Sequence, residues 1–224
     1  MALFSIVKRW YYIVLAGLLL LGIGYIYLHR QDLGLVGPPS GVGDGSGGNA
    51  SIASLHPPRI NWTTVERPNA GFRVEMPVDG KEIQVPAYNE NGGTDQVNML
   101  FAYPAADITF SVAWADNPPV VRVNGQTPDR ILDMARDEAL TRTQTTLSGE
   151  TKLMASGFPA RDIVARNAGG GVLDTRLVLV GRRLYMLTTA FPSVDVRREQ
   201  DVLRFFNSFT VLRSRSIPES LPPA

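Results

Sequence analysis

The segment ARNAGGGVLDTRLVLVGRRLYML, residues 165–187, contains two chain reversals between hydrophobic stretches and indicates the architecture of this chain most clearly. Three glycines, Gly169–Gly171, are followed by VLDTRLVLV, in which apolar residues alternate as they do in a β-strand. A phosphate-binding loop would instead lead into a helix whose backbone N–H groups point at the anion. We therefore predict a hairpin turn, in which glycine supplies positive φ angles, and a second, two-residue turn at Gly181-Arg182.

Alternating apolar residues predict further strands on both sides of this segment. The predicted strands lie at Phe72–Met76, Ile83–Val85, Val97–Tyr103, Ile108–Trp114, near Ile163, at Leu173–Leu179, Leu184–Leu187 and Phe209–Val211. Two segments instead carry the three- and four-residue spacing of amphipathic helices. TPDRILDMARDEALTRT begins with Thr127 as N-cap and Pro128 at the first helical position, and SVDVRREQDVLRFFNSF has Ser193 or Asp195 as its cap. This order of elements predicts an α+β domain with helices packed on an antiparallel sheet.

Four fragments of this domain are together similar to the PsbP/Mog1-like family. They are GFRVEMP (71–77), SGFPARDIV (156–164), GRRLYMLTTAF (181–191) and VLRFFNSFTVL (202–212), and a long central hairpin and a helix lie between the first two. The resemblance covers approximately residues 60–212. It implies an α/β/α sandwich around a curved antiparallel sheet, and a non-catalytic module that binds or helps assemble another protein. The sequence contains no partner-specific motif of a family member, so the partner is left open.

The N-terminal segment has the properties of a membrane anchor. Residues 10–28 contain no charged side chain, and at ~1.5 Å per residue a helix of that length spans roughly 28 Å, close to the ~30 Å bilayer core. Aromatic residues, which favour the headgroup region, lie near its two ends: Trp10, Tyr11, Tyr12, Tyr25 and Tyr27. Lys8 and Arg9 outweigh Arg30, which predicts a single-pass membrane protein with residues 1–9 in the cytoplasm and the domain that follows the helix outside it. In a Gram-negative bacterium this outer compartment would be the periplasm.

A cleaved signal peptide is the alternative interpretation of the same segment. Gly22 and Gly24 could be the small residues before a cut ahead of Tyr25. The apolar run continues through Ile26 and Leu28 and is longer than most signal-peptide cores, which favours a retained transmembrane helix.

Composition divides the remainder of the chain into three parts. Residues 29–59 are rich in glycine, serine and proline, which predicts a flexible linker. Residues 60–213 contain every predicted strand and the two predicted amphipathic helices, and form the predicted globular domain. Residues 214–224 are polar and contain proline, which predicts a disordered tail.

The globular part contains few of the residues that enzymes and metal sites use most. The chain has no cysteine, and its only histidines, His29 and His56, precede residue 60. We therefore expect no catalytic residue, no cofactor-binding residue and no metal ligand in the domain. The net charge of +1 includes Lys8, Arg9 and Arg30, so the chain beyond them is slightly acidic and nucleic-acid binding is disfavoured.

Two charged sets leave alternatives open. Asp129, Asp133 and Asp137 recur every four residues on the first predicted helix and could hold a hard cation, although a solvated face is favoured. Arginines concentrate in the last third of the chain, at positions 161, 166, 176, 182, 183, 197, 198 and 204. They could face anionic lipid headgroups or an acidic partner, with Arg176, Arg182 and Arg183 as the candidate contacts, or they could be outward-facing strand residues, which we favour.

Taken together, these patterns predict a membrane-anchored, extracytoplasmic, non-enzymatic protein-binding or assembly module. Its partners are the lipid bilayer, through the N-terminal helix, and an unidentified protein of the envelope. The alternative is a receptor or enzyme that binds a small ligand or a metal in a cleft of carboxylates and arginines.

Overall fold

The structure is a computed structural model that describes residues 60–78, 80–88, 94–105, 108–122 and 125–212. The predicted anchor (10–28), linker (29–59) and tail (214–224) lie outside these residues. Within the described residues, no helix has both the length and the hydropathy that crossing a bilayer requires.

The described residues form ten strands and three α-helices. The strands are β1 (Trp62–Arg67), β2 (Phe72–Pro77), β3 (Lys81–Tyr88), β4 (Thr94–Ala105), β5 (Ile108–Asp116), β6 (Thr145–Ala155), β7 (Phe158–Asn167), β8 (Val172–Val180), β9 (Arg183–Phe191) and β10 (Thr210–Val211). The helices are α1 (Pro119–Arg122), α2 (Pro128–Thr143) and α3 (Glu199–Ser208), and Val194–Val196 forms a short 3₁₀ turn.

Seven of these strands form one antiparallel sheet in the order β3-β4-β5-β9-β8-β7-β6. The sheet consists of two meanders, β3 to β5 and β6 to β9, which are joined by the pairing of β5 with β9. A separate three-stranded antiparallel sheet has the order β1-β2-β10.

Both predicted glycine turns are confirmed. Gly170 (φ 84°) lies in the loop between β7 and β8, and Gly181 (φ 56°) lies in the turn between β8 and β9. The N–H of Asn167 donates to the carbonyl of Gly171, and the N–H of Gly171 donates to Oδ1 of Asn167 at 2.8 Å. A Cβ on Gly171 would come within 2.7 Å of Nδ2 of Asn167, so a larger residue at this position would displace the Asn167 side chain.

The two faces of the large sheet are covered by different elements. β2, β10 and α3 pack on one face and form the main core with side chains of β4, β5, β8 and β9. Its largest fully buried residues include Phe72, Met76, Leu100, Phe110, Tyr185 and Phe205. α1 and α2 pack on the opposite face, mainly against β7 and β8. A mixed α/β architecture with antiparallel sheets and few helices is thereby confirmed, and the three-stranded sheet is an addition that the sequence did not predict.

The first predicted helix is confirmed in detail. Oγ1 of Thr127 accepts a hydrogen bond from the N–H of Arg130 at 3.3 Å, and Pro128 begins α2. Gln144 adopts a left-handed conformation (φ 49°) that ends the helix. Ile131, Leu132 and Ala135 face the sheet as their spacing predicts.

The second predicted helix begins later than expected. Neither Ser193 nor Asp195 caps α3, because Arg197 is extended (ψ 126°) and separates the 3₁₀ turn from the helix. Arg198 is the N-cap and makes no capping hydrogen bond with its side chain. The closing strand is also shorter than predicted, since Phe209 ends α3 and only Thr210–Val211 pair with β2.

Candidate functional site

The spacing of four along α2 directs two of its aspartates at one buried arginine of the sheet. Arg161 lies on β7 with only 1% of its side chain exposed, and its guanidinium contacts Asp133, Glu150 of β6 at 2.5 Å, and Asp129 at 3.3 Å. It also donates a hydrogen bond to the backbone carbonyl of Asp129 at 3.3 Å. A guanidinium has five N–H donors in a fixed plane, so it can join several carboxylates of a helix and a strand at once.

Further charges extend this group, which we call the α2–β6 ion cluster. Arg136 contacts Glu150 at 2.7 Å and Asp137 at 2.7 Å, and Lys152 of β6 contacts Asp129 at 3.1 Å. Burial alone would raise the pKa of Glu150, but hydrogen bonds from Arg161 and Arg136 outweigh it and hold this pKa below its usual range. The cluster therefore fastens α2 to β6 and β7.

The three aspartates of α2 that could have held a hard cation therefore form ion pairs with arginine side chains of the domain. Asp129 and Asp133 contact Arg161, and Asp137 contacts Arg136. Within the described residues, no group of three or more histidine, aspartate or glutamate side chains is placed to hold a metal ion.

A second ion pair lies in the last turns of α2. Nε of Arg142 donates to Oε1 of Glu138 at 2.5 Å, and the side chain of Arg142 is almost completely buried. Burial lowers the pKa of Arg142 to about 10 despite the nearby carboxylate, and burial also raises the pKa of Glu138. Arg142 lines a cleft between α2 and the sheet together with mainly apolar side chains such as Ile163, Leu173 and Met186. A small ligand in this cleft would meet two arginines, Arg136 and Arg142, that already bind Glu150 and Glu138.

The raised pKa of Glu138 predicts a distinct pH dependence of stability. The folded state takes up a proton at higher pH than the unfolded state, so the wild-type chain should gain stability relative to Glu138→Gln as the pH falls from 7 towards the ordinary carboxyl pKa of 4.5. Urea unfolding of the two proteins at several pH values measures this difference.

Glu150→Gln is the matched control with the opposite sign. Because the pKa of Glu150 is lowered, its stabilising contribution is complete above pH 4.5 and is lost only as the pH falls below that value. A difference between wild type and Glu138→Gln that stays constant from pH 7 to 4.5 would contradict the interpretation of Glu138.

Two other arginines are joined to carboxylates on the neighbouring strand. Arg176 of β8 lies directly opposite Asp162 of β7, with both nitrogen–oxygen distances at 2.7 Å, and donates to the carbonyl of Phe206 at 2.9 Å. Arg183 of β9 lies directly opposite Asp116 of β5, at 2.5 and 2.8 Å. Paired, bidentate contacts of this kind are the strongest hydrogen bonds that side chains form.

The outward-facing interpretation of the arginines is therefore wrong at positions 161, 176 and 183. All three residues are buried, because other elements pack over them on both faces of the sheet. Of the three candidate partner contacts, Arg176 and Arg183 are engaged inside the domain. Arg182 is partly exposed in the turn after β8, where it donates to Oδ1 of Asn117. Contact of Arg182 with a partner stays a prediction.

The large sheet has two edges, formed by β3 and β6, and the β6 edge lies beside the ion cluster. β6 is the last strand of the sheet and pairs with β7, and no other strand in the described part of the chain pairs with it. Seven of its eleven residues are exposed, so the outer edge of β6 faces solvent. Two large apolar side chains stand exposed along it, Met154 (63%) and Leu147 (38%). The sequence prediction missed this strand because its polar composition hides the alternation.

Comparison with known proteins adds similarity of fold only. No protein-family model matches the chain, and no curated protein matches it. The solution structure of cyanobacterial PsbP from Synechocystis sp. PCC 6803 is similar to it, with 14% identity, a TM-score of 0.47, and coverage of 75% of this chain and 98% of that one. The crystal structure of PA94 from Pseudomonas aeruginosa, a protein of unknown function, has 13% identity, a TM-score of 0.33, and coverage of 60% and 84%. The resemblance to PsbP that the sequence predicted is thus found again as a similarity of fold.

Proposed function

We propose that this chain is a single-pass membrane protein whose domain, residues 60–213, is held outside the cytoplasm and binds another polypeptide chain without catalysis. In this proposal the domain is an α/β/α-type sandwich that serves as a rigid scaffold. The observation that carries the proposal is the exposed edge of β6, an eleven-residue strand with one side of its backbone unpaired within the described residues.

An open strand edge is a binding surface because it presents a row of unpaired N–H and C=O groups. An extended segment of another chain can pair with that row and continue the sheet, and its side chains then select the partner. Natural proteins commonly protect such edges with prolines, with very short strands, with β-bulges or with charges. β6 is long and contains no proline, and its bulge between Leu147 and Gly149 leaves the strand regular from Gly149 onwards.

The charges of β6 do not protect its edge either. Glu150 contacts Arg161 and Arg136, and Lys152 contacts Asp129 of α2. Both side chains are therefore drawn over the face of the sheet on which α2 packs. The outer backbone between them is left accessible to a second strand.

The membrane half of the proposal is supported by the sequence. Residues 10–28 have the length and the aromatic ends of a membrane span, and Lys8 and Arg9 orient it with the domain outside the cytoplasm. A flexible linker such as residues 34–58 reaches roughly 25–30 Å on average, so the anchored domain can turn its β6 edge towards a partner.

A reporter fusion tests this topology. We expect a reporter that is active only outside the cytoplasm to be active when fused after Leu212, and a reporter that is active only in the cytoplasm to be inactive at the same site. N-terminal sequencing of the membrane-bound chain should show that the segment before Tyr25 is retained. Cytoplasmic activity at Leu212, or a mature chain that begins at Tyr25, would contradict the proposal.

A further inference from the structure

We infer that the strand that pairs with β6 is β6 of a second copy of this chain, in an antiparallel arrangement whose two-fold axis passes through Thr151. This inference rests on the proposed use of the β6 edge and identifies its partner. The result is an isologous dimer, in which one patch serves both copies and the sheet continues across the interface.

Symmetry restricts the possible registers. In an antiparallel pair, two residues that lie opposite each other point to the same face of the sheet, whereas successive residues of one strand point to opposite faces. A two-fold axis that relates two copies of β6 must therefore pass beside one residue, and that residue lies opposite the same residue of the second copy. An axis at Glu150 would bring two carboxylates together, and an axis at Lys152 would bring two ammonium groups together. An axis at Thr151 instead places Glu150 of each copy opposite Lys152 of the other.

The charge pattern thus selects one register. Opposite charges that face each other across two strands stabilise the pair, and like charges in the same position destabilise it. Lys152 is well placed for this second contact, because its side chain is 60% exposed and an ammonium group has three donors, of which Asp129 occupies one at 3.1 Å. The ion cluster of one copy then continues into the ion cluster of the other.

The geometry of β6 supports a local, five-residue pairing. The strand is regular from Gly149 onwards, and a bulge between Leu147 and Gly149 interrupts its register with β7. An axis at Thr151 uses Gly149 to Leu153 of both copies and therefore stays within the regular part. Two copies anchored in one membrane would also meet at a high effective concentration, which compensates for a short interface.

A single engineered cysteine can test the register, because the chain has no cysteine of its own. Residues that face each other in an antiparallel pair come within the distance that a disulfide spans. We expect full-length Thr151→Cys, oxidised in its native membrane, to form a species of doubled mass that a reductant reverses. Thr151 is exposed on the strand, so the substitution should leave the fold intact.

Met154→Cys is the matched control on the same strand. In the inferred register Met154 lies opposite residue 148, which places the two copies of residue 154 roughly 20 Å apart along the strands. We therefore expect no disulfide at this position, although Met154 is the more exposed residue. Equal crosslinking of both variants would overturn the register.

Lys152→Glu, added to Thr151→Cys, tests the charge argument. It turns two attractive pairs into two repulsive ones, and we expect the crosslinked fraction to fall about tenfold. An unchanged fraction would contradict the pairing of Glu150 with Lys152.

Two further outcomes separate this inference from the proposed function. If the thiol of Thr151→Cys reacts with a maleimide but forms no disulfide, self-pairing is overturned. If, in addition, a photo-crosslinker at position 151 joins the chain to a different protein in the membrane, the binding role of β6 stands although self-pairing does not. The reporter assay for topology is independent of both results.

Discussion

Phe110→Ala is expected to lower the free energy of unfolding by about 4 kcal/mol. Phe110 is completely buried on β5, and its ring meets Trp62 and Phe205 at centroid distances of 5.4 Å and Phe191 at 6.3 Å. It therefore joins β1 and α3 to the large sheet, and it also packs against β9 within that sheet. Removal of the ring leaves a cavity that elements from three directions cannot all close. Denaturant unfolding of the full-length chain in detergent, followed by near-ultraviolet circular dichroism, measures the loss.

Leu203→Ala is the control for that experiment. Leu203 lies on α3 with 48% of its surface exposed, and alanine is a good helix former, so the change should stay within about 0.5 kcal/mol. Similar losses for the two variants would contradict the central position of Phe110 in the core.

Arg161→Met is expected to cost about 3 kcal/mol of unfolding free energy. The substitution keeps the apolar bulk of the side chain but removes the cation that contacts Asp129, Asp133 and Glu150 together. Arg136 and Lys152 are left beside these carboxylates. The expected loss lies at the lower end of the range for broken buried pairs, because these carboxylates keep part of their contact with water.

Lys152→Met removes a cation from the same cluster at its exposed side. Because both Lys152 and Asp129 are well exposed, we expect a loss of at most about 1 kcal/mol. Arg161 and Lys152 both contact Asp129, but Arg161 is buried and Lys152 is exposed. The same unfolding measurement on both variants therefore compares the contribution of a buried cation with that of an exposed one. A loss for Arg161→Met no larger than that for Lys152→Met would show that Arg161 does not organise the cluster.

Local signals in the sequence were sufficient to predict many of the strands, helices and turns of this fold. Thr127 and Pro128 marked the start of α2, and the glycines after Asn167 marked a hairpin. That hairpin also determines its register, so counting back from the loop places Asp162 opposite Arg176. One of the buried ion pairs could therefore have been predicted from the sequence, had the turn been used to align the two strands.

Features that depend on distant parts of the chain could not be predicted in this way. Asp116 and Arg183 meet only because β5 and β9 are neighbours, which no local pattern reveals. The burial of Arg161 depends on where α2 packs, and an arginine in an alternating strand looks solvent-facing until that helix is placed. The free edge of β6 was missed because an exposed strand lacks the apolar alternation by which strands are recognised.

The single junction between β5 and β9 has a consequence for how the chain is made. Each meander forms from neighbouring hairpins, whereas the junction closes a loop of 67 residues between Asp116 and Arg183, and such closure slows folding. During synthesis, β3 to β5 leave the ribosome well before β9 exists. The nascent chain therefore carries an uncovered β5 edge until β9 is translated, and during that interval it is exposed to aggregation.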